Sequence, residues 1–277
     1  MRWAPAAPQN GGVFSVAFLN ELRTLEIERV VTHLRPGARV LEVGAGTGRQ
    51  AAELRARGFE VEAIEIADSN YAGDRDFPIT NYDGRHIPFG DASFDVVFSS
   101  NVLEHVRDQG QMHAEIRRVL KPDGYCVHLM PTGAWRFWTS VSAFPTAFQK
   151  IAAAVRDVGR PAPSAARRLL RVLALPFVAL GFLLGPLFFQ NRHGERGTLV
   201  SELWQFGPRW WRRTFARHGF EIIRDEPLGL FYTGNFFLGR WLSFSTRERW
   251  ARRLGSACHL YEVRPARAPG ASGSSAA

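Results

Sequence analysis

Cysteine is scarce in this chain: Cys126 and Cys258 are the only two in 277 residues, and each lies in an apolar stretch that predicts a strand. Two isolated cysteines exclude a disulfide-rich scaffold, and their spacing is not that of zinc ligands. We therefore expect reduced, buried thiols, and the sequence predicts no metal site. The first residues, MRWAPAAPQNGG, lack the uninterrupted apolar core of a secretory signal, which predicts a cytoplasmic protein.

Acidic residues are outnumbered by basic ones. The chain has 35 Lys and Arg against 26 Asp and Glu, a formal net charge of +9. This excess favours nucleic acid, anionic lipid or a phosphorylated substrate as a partner, without choosing among them. The length suits one large domain with insertions better than two independent domains.

Strand and helix patterns alternate along most of the chain. The predicted elements are, in order, a helix over 18–34, the strand ARVLEVG, a helix over 47–57, the strand FEVEAIEI, a short strand at 79–82, the strand SFDVVFSS, a helix over 102–120, a KPDG turn, the strand YCVHLM, a helix over 210–218, and the strands GFEIIRDE and CHLYEVR. This order predicts an α/β fold, a doubly wound, mostly parallel Rossmann-like sheet with helices on both faces.

A glycine-rich turn directly follows the first strand. Gly44, Gly46 and Gly48 form a G-x-G-x-G pattern between that strand and a helix, where missing side chains let the backbone approach a ligand closely. A nicotinamide-binding fingerprint would have glycine at position 49, where Arg49 stands instead. The turn therefore predicts a cofactor site but argues against a dehydrogenase.

Acidic residues end three successive predicted strands. Glu42 lies where a carboxylate would repel a pyrophosphate but favour a cationic amine or sulfonium. Glu65 is placed to accept both hydroxyls of a ribose, and Asp83 to accept from an adenine amino group. Together the three acids predict a site for a positively charged nucleoside cofactor.

Three further stretches give the chain a family resemblance. VLEVGAGTG at 40–48, HIPFGDASFDVVFSSNVLEHV at 86–106 and RRVLKPDGY at 117–125 resemble the class I S-adenosylmethionine-dependent methyltransferases, in particular the ubiquinone and menaquinone biosynthesis branch with its type 11 domain. The resemblance covers 20–132 closely and returns weakly in the last third. It implies S-adenosylmethionine as cofactor and a seven-stranded sheet that ends in a reversed hairpin.

The resemblance also implies roles for individual residues. Asp95 would be the structural acid of the fourth strand. The implied cofactor contacts are Glu42, Gly44, Ala45, Gly46 and Gly48 for the methionine end, Glu65 and Ile66 for the ribose, Asp83 and Gly84 for the adenine, and Ser99, Ser100 and Asn101 for the pocket floor.

Two histidines are candidates on the methyl-acceptor side. Methyl transfer from a sulfonium is a direct displacement, so positioning supplies much of the acceleration and a base is needed only if the acceptor must lose a proton. His105 in LEHV lies near the expected cleft, where it could act as a base or shape the pocket wall. His193 in NRHGERG could cover the methyl group from a polar loop, or be a solvated loop residue.

A hydrophobic insertion over 133–200 interrupts the alternation. Its apolar run 172–189 approaches the length that crosses a bilayer, but a crossing would separate the closing strands from their sheet. A hydrophobic hairpin, an interfacial helix or a buried cap is therefore expected, with breaks at Pro176, Gly181, Gly185 and Pro186. The run is flanked by Arg167, Arg168, Arg171, Arg192 and Arg196, and Arg209, Arg212 and Arg213 follow beside Trp210 and Trp211, which suits an anionic membrane surface.

The expected organisation has five parts: an N-terminal extension at 1–19, the cofactor-binding core at 20–132, the insertion or lid at 133–200, the rest of the core with a second aromatic insertion at 201–264, and a disordered tail at 265–277. We expect a methyltransferase for a hydrophobic, lipid-like or lipid-linked acceptor, bound peripherally to the cytoplasmic membrane face. The alternatives are a soluble small-molecule methyltransferase with a hydrophobic lid, and a membrane scaffold that binds cofactor without turnover. Nucleic acid is not the expected partner, and the oligomeric state stays open.

Overall fold

The computed structural model describes residues 16–69, 75–161, 164–188, 192–235 and 238–266. The strands are Arg39–Val43 (β1), Glu60–Ile66 (β2), Thr80–Tyr82 (β3), Phe94–Ser100 (β4), Leu120–Pro131 (β5), Phe220–Pro227 (β6) and Cys258–Pro265 (β7). The α-helices are Val16–Val30 (α1), Arg49–Ala56 (α2), Gln109–Val119 (α3), Gly133–Val158 (α4), Ala165–Phe188 (α5), Leu199–Gln205 (α6), Pro208–Arg217 (α7) and Phe244–Leu254 (α8). Short 3-10 helices lie at Val31–His33, Leu103–His105 and Gly239–Trp241.

One seven-stranded sheet organises the fold, in the order β3-β2-β1-β4-β5-β7-β6. The first five strands of this order run parallel, and β7 runs antiparallel to both β5 and β6. The predicted doubly wound sheet and its reversed final hairpin are therefore confirmed. The strand order reverses between β1 and β4, and in open α/β sheets ligands bind beyond the carboxyl ends of the strands at such a reversal.

The central strands bury side chains on both faces of the sheet. In β1, Val40 joins a core cluster with Phe18 of α1, while the next residue, Leu41, joins a second cluster with Met112 of α3 and Phe215 of α7. This two-sided burial explains why the strand sequences are nearly continuous apolar runs. The two cysteines lie in β5 and β7, where both are buried and free, as predicted.

Asp95 in β4 joins three segments of the sheet. Its carboxylate accepts a hydrogen bond from the Arg39 backbone amide at 2.9 Å and lies 3.0 Å from the Lys121 ammonium. The predicted KPDG turn lies within the bounds of β5, at a register shift between Phe94 and Val96. These contacts give Asp95 the structural position that the family resemblance implies.

The helix predicted over 102–120 is wrong in its first part. A 3-10 turn occupies Leu103–His105, and α3 begins only at Gln109. Two local features prevent an earlier start. Asn101 has a positive φ of 55°, and the Asp108 side chain caps α3 by accepting a hydrogen bond from the Gln111 amide at 2.9 Å.

The hydrophobic insertion forms a hairpin of two long helices, α4 and α5, which pack on each other. The predicted breaks are wrong, because α5 runs without interruption through Pro176, Gly181, Gly185 and Pro186. Pro176 is exposed, so water can satisfy the carbonyl that a proline leaves without its helical hydrogen bond.

The insertion is not a buried cap either. Along α5, the side chain of Leu170 is 67% exposed and that of Phe177 is 76% exposed. Among the described residues, no helix combines the length and the apolar character needed to cross a membrane.

The first helix and the last strand both extend into segments that were predicted to lie outside the core. Helix α1 begins at Val16, inside the segment assigned to the N-terminal extension, and its Phe18 lies in the core. Strand β7 continues to Pro265, and the rest of the tail prediction, 267–277, lies outside the described residues. Within the second aromatic segment, Leu230 and Tyr232 pack into the same core as α1.

Candidate functional site

The glycine turn after β1 is fixed to the neighbouring strand β2. The amides of Gly44 and Ala45 both donate to the Ile64 carbonyl, at 2.9 and 3.0 Å, and the Gly48 amide donates to the Ala45 carbonyl at 2.8 Å. Gly44, Gly46 and Gly48 have φ values of 73°, 58° and 80°. The turn therefore lies at the carboxyl edge of the sheet in a conformation that favours glycine.

Two of these glycines are also required by space. A Cβ on Gly44 would lie 2.5 Å from the Val102 side chain, and one on Gly48 would lie 2.5 Å from the Phe77 Cβ. Any side chain at either position would force its neighbours apart. Glycine at these two positions therefore lets the turn pack closely against Val102 and Phe77.

Glu65, predicted to hold a ribose, contacts this turn directly. One carboxylate oxygen accepts from the Gly46 amide and the other from the Ile66 amide, both at 2.8 Å. The structure therefore brings Glu42, the glycine turn and Glu65 together, as the strand-end pattern predicts. Its role toward a ribose stays a prediction.

Glu42 is the most unusual acid of the set. It is 1% exposed, and its Oε2 has no hydrogen-bond partner among the described residues. Burial raises the pKa of Glu42 to about 8, and the nearby Glu65 carboxylate adds to the increase. A buried carboxylate with an unsatisfied oxygen beside a glycine turn fits a cationic ligand group, which would supply the missing charge and hydrogen bond.

At the adenine end, Asp83 fixes its own turn. One oxygen accepts from the amides of Arg85 and His86, both at 2.7 Å, and the other lies 2.9 Å from the His86 ring. The His86 contacts hold the pKa of Asp83 well below its usual range. Gly84 lies against Ile66, an exposed apolar side chain that offers a surface to a planar ring.

Of the three residues predicted for the pocket floor, Ser99 has its side chain on the other face of the sheet from Glu42. Its side chain is fully buried and its hydroxyl lies 2.8 Å from the His128 ring, on the sheet face opposite Glu42. Side chains alternate between the two faces along a strand, so Ser99 and Ser100 point to opposite faces of the sheet. Ser100 and Asn101 do lie at the strand end, where the side-chain amide of Asn101 donates to the Ser100 hydroxyl at 3.2 Å.

A buried polar network borders Asn101, and the sequence analysis missed it. Glu26 of α1 pairs with Arg23 at 2.5 Å and accepts from the Tyr232 hydroxyl at 2.6 Å. Tyr232 lies 3.0 Å from the Cys258 sulfur, which lies 3.5 Å from the Asn101 side chain. One sequence signal was available: Glu26 lies on the apolar side of the helix predicted over 18–34.

The structure brings the two candidate histidines together around a third residue. His105 and His193 have ring centroids 4.8 Å apart, and their Nε2 atoms lie 3.7 and 3.6 Å from one oxygen of Glu104. Trp135 and Phe206 pack around His193. Burial lowers the pKa of His105, which favours its neutral form. Sequence reasoning missed Glu104, although it adjoins His105 in LEHV.

His193 is held firmly by its backbone. The amides of His193 and Gly194 donate to the Glu202 carboxylate, which is buried beside Arg136 at 3.3 Å. The Glu195 amide donates to the Glu104 carbonyl at 3.0 Å. The loop that follows the insertion is therefore attached to the end of β4, next to the glycine turn.

Comparison with known proteins agrees with this arrangement. Residues 41–128 match a family model described as a methyltransferase domain. An uncharacterized methyltransferase from Mycobacterium sp. (strain KMS) is 37% identical over 122 residues, which is 39% of this chain and 47% of the relative. Residues 41–128 therefore form a methyltransferase domain. S-adenosylmethionine is the cofactor of this domain.

Two further relatives of the methyltransferase domain carry more specific names. A malonyl-[acyl-carrier protein] O-methyltransferase from Erwinia pyrifoliae is 31% identical over 49% of this chain and 50% of its own length. A demethylmenaquinone methyltransferase from Clavibacter sepedonicus is 37% identical over 33% of this chain and 40% of its own length. The chain thus spans about half, or less, of the length of the curated relatives it matches.

Proposed function

We propose that the protein transfers a methyl group from S-adenosylmethionine to a hydrophobic, lipid-like or lipid-linked acceptor at the cytoplasmic face of a membrane. One observation carries the acceptor class: the apolar hairpin is joined to the histidine pair at both ends. Trp135, in the first turn of α4, contacts His193, and α5 leads into the loop that carries His193.

On the cofactor side, the bound cofactor would supply a methyl group activated by a sulfonium. Glu42 would hold the cationic methionine end, because its buried carboxylate has an unsatisfied oxygen. Glu65 would hold the ribose hydroxyls from the end of β2, and the bare backbone of the glycine turn would admit the ligand. A direct displacement then needs the acceptor to be held in line with the methyl group.

On the acceptor side, the histidine pair lies beside the glycine turn through Val102, which contacts Gly44 and precedes the 3-10 turn bearing His105. A neutral His105 ring is able to accept a proton from an acceptor hydroxyl. Trp135 and Phe206 provide an apolar wall around His193, which suits a hydrophobic acceptor.

The surface of the hairpin supports delivery of that acceptor from a membrane. Residues 150–171 include six basic residues and one acid, Asp157, in the part of the hairpin farthest along the chain from its two attachments. Leu169, Leu170 and Leu173 are exposed among these charges. Basic and apolar side chains on one surface favour anionic lipid. The Clavibacter relative, named for demethylmenaquinone, supports a hydrophobic acceptor.

The test combines vesicle flotation with transfer of a labelled methyl group from S-adenosylmethionine into a membrane lipid extract. We expect the protein to float with vesicles containing anionic lipid and to label an organic-soluble product. The double variant Leu170→Glu, Phe177→Glu should lose both properties. The matched control Val200→Glu, Ile223→Glu changes exposed apolar residues elsewhere and should keep them.

Two outcomes would contradict the proposal. Labelling of a water-soluble acceptor without flotation would indicate a soluble enzyme whose hairpin serves another purpose. Cofactor binding with no labelled product in extracts of lipids and glycans would indicate a scaffold without turnover.

A further inference from the structure

The Glu104 carboxylate lies in an environment that is unfavourable for a charged group unless a ligand is bound. The side chain is 1% exposed, and neither oxygen has a hydrogen-bond partner among the described residues. The Nε2 atoms of His105 and His193, at 3.7 and 3.6 Å, lie beyond ordinary hydrogen-bond distance. A buried carboxylate without such partners is costly unless a cation compensates it.

The three side chains are arranged as metal ligands are. One atom from each of Glu104, His105 and His193 lies within 4.8 Å of the other two. In a tetrahedral zinc site with bonds of about 2.0 Å, ligand atoms lie about 3.3 Å apart, so small side-chain movements would close this set around an ion. We propose that Glu104, His105 and His193 bind a divalent transition metal such as Zn²⁺.

The surroundings of the three side chains favour a defined site. The backbone of His193 is held by Glu202, and the Glu104 carbonyl accepts from the Glu195 amide at 3.0 Å. Such supporting contacts orient metal ligands and are part of a working site. Two histidines and one glutamate form the ligand set of catalytic zinc sites that keep a fourth position open.

The open position would take an oxygen of the methyl acceptor, a role that rests on the proposed function. The metal would lower the pKa of a bound hydroxyl, whose O–H bond breaks as the proton leaves to water. The oxygen would then form a bond to the methyl carbon while the carbon–sulfur bond breaks, and that electron pair would stay on sulfur. With a metal bound, His105 and His193 would hold the metal, so the base role described above for His105 would apply only to the metal-free protein.

Metal binding is tested on the full chain without any methyl acceptor. After removal of metal with a chelator, titration with Co²⁺ should give one equivalent bound, with the visible absorption of a tetrahedral site, and Zn²⁺ should displace it. Glu104→Gln and His193→Ala should weaken Co²⁺ binding by more than the roughly 10–100-fold that follows loss of a supporting contact. Glu195→Gln is the matched control and should bind Co²⁺ as the parent does, because Glu195 pairs with Arg107 outside the set.

Binding of S-adenosylmethionine, measured on every variant, shows that each one is folded. A folded parent that binds no Co²⁺, or Co²⁺ binding that survives in Glu104→Gln and His193→Ala, would overturn the site. Methylation assays are separate: a protein that binds Co²⁺ through these residues but methylates nothing would keep the metal site and contradict the proposed function.

Discussion

The backbone amide of Gly46 donates a hydrogen bond to the Glu65 carboxylate across 2.8 Å. This contact joins the glycine turn after β1 to the end of β2, so two segments assigned to different ends of the cofactor form one unit. The other Glu65 oxygen accepts from the Ile66 amide. Glu65 therefore shapes the turn as well as facing the expected ribose position.

Replacement of Glu65 tests this unit. Glu65→Ala removes two hydrogen bonds to a charged group, each contributing about 1.5–3 kcal/mol, so S-adenosylmethionine should bind at least about tenfold more weakly by calorimetry. Glu60→Ala is the control on the same strand, because its exposed pair with Arg39 contributes little. Equal affinities for the two variants would remove Glu65 from the site.

The buried carboxyl of Glu42 predicts a pH dependence of stability. Because burial raises its pKa from 4.5 to about 8, the stability associated with the protonated carboxyl is present at acid pH and is lost as the pH rises through about 8. Without cofactor, Glu42→Gln should therefore gain stability relative to the parent, by about 3–4 kcal/mol, as the pH rises from about 5 to 8.

The measurement for Glu42 is urea unfolding at several pH values, with a cofactor titration beside it. The Gln variant should be more stable than the parent near pH 8 yet bind S-adenosylmethionine more weakly, because it lacks the charge. Parallel stability curves for parent and variant would show that Glu42 does not titrate as described.

Two glycines with nearly equal φ allow the cost of backbone strain to be measured separately from the cost of a steric clash. Gly44 (φ 73°) and Gly37 (φ 71°) are both left-handed, but a Cβ meets Val102 only at Gly44 and meets nothing within 4 Å at Gly37. Gly37→Ala should cost about 1–2 kcal/mol of unfolding free energy from backbone strain. Gly44→Ala should cost about 1–3 kcal/mol more from overpacking and should also abolish cofactor binding.

A double variant, Gly44→Ala with Val102→Ala, tests the steric part of this cost. Removing the Val102 methyl groups relieves the closest contacts, so part of the lost stability should return in denaturant unfolding. Equal costs at Gly37 and Gly44 would mean that the turn tolerates a side chain there.

The basic part of the hairpin predicts a charge dependence of membrane binding. Each basic residue near an anionic surface contributes about 1 kcal/mol, so replacing Arg167, Arg168 and Arg171 with Gln should weaken partitioning into anionic vesicles by about 100-fold. Replacing the exposed Arg249, Arg252 and Arg253 of α8 in the same way is the control. Similar losses from both triple variants would indicate a general charge effect and not a hairpin contact.

Much of the fold was predictable because burial leaves a clear trace in a parallel sheet. All seven strands were predicted, most of them from runs rich in buried apolar residues. The start of α3 was not predicted correctly, because the left-handed Asn101 and the Asp108 cap are local features within a stretch whose apolar spacing is helical. The unbroken α5 was missed because the sequence does not show that Pro176 is exposed. At an exposed position, water can satisfy the carbonyl that proline leaves without its helical hydrogen bond.

The candidate site was also predicted only in part. The glycine turn and the acids Glu42 and Glu65 follow from a motif whose residues lie at adjacent strand ends. The sequence did not distinguish Ser99 from Ser100, although alternation along β4 puts only Ser100 on the same face of the sheet as Glu42. The meeting of His105 with His193 depends on how the loop after α5 is attached through Glu202, a long-range contact with no sequence motif.

The most direct test of the central claim is calorimetric titration of the purified protein with S-adenosylmethionine, beside the variant Gly46→Arg. We expect one cofactor to bind per chain and the variant to bind none, because an arginine side chain would occupy the glycine turn next to Glu65. A flat titration of the folded parent, or equal binding by the variant, would contradict the assignment of the cofactor site.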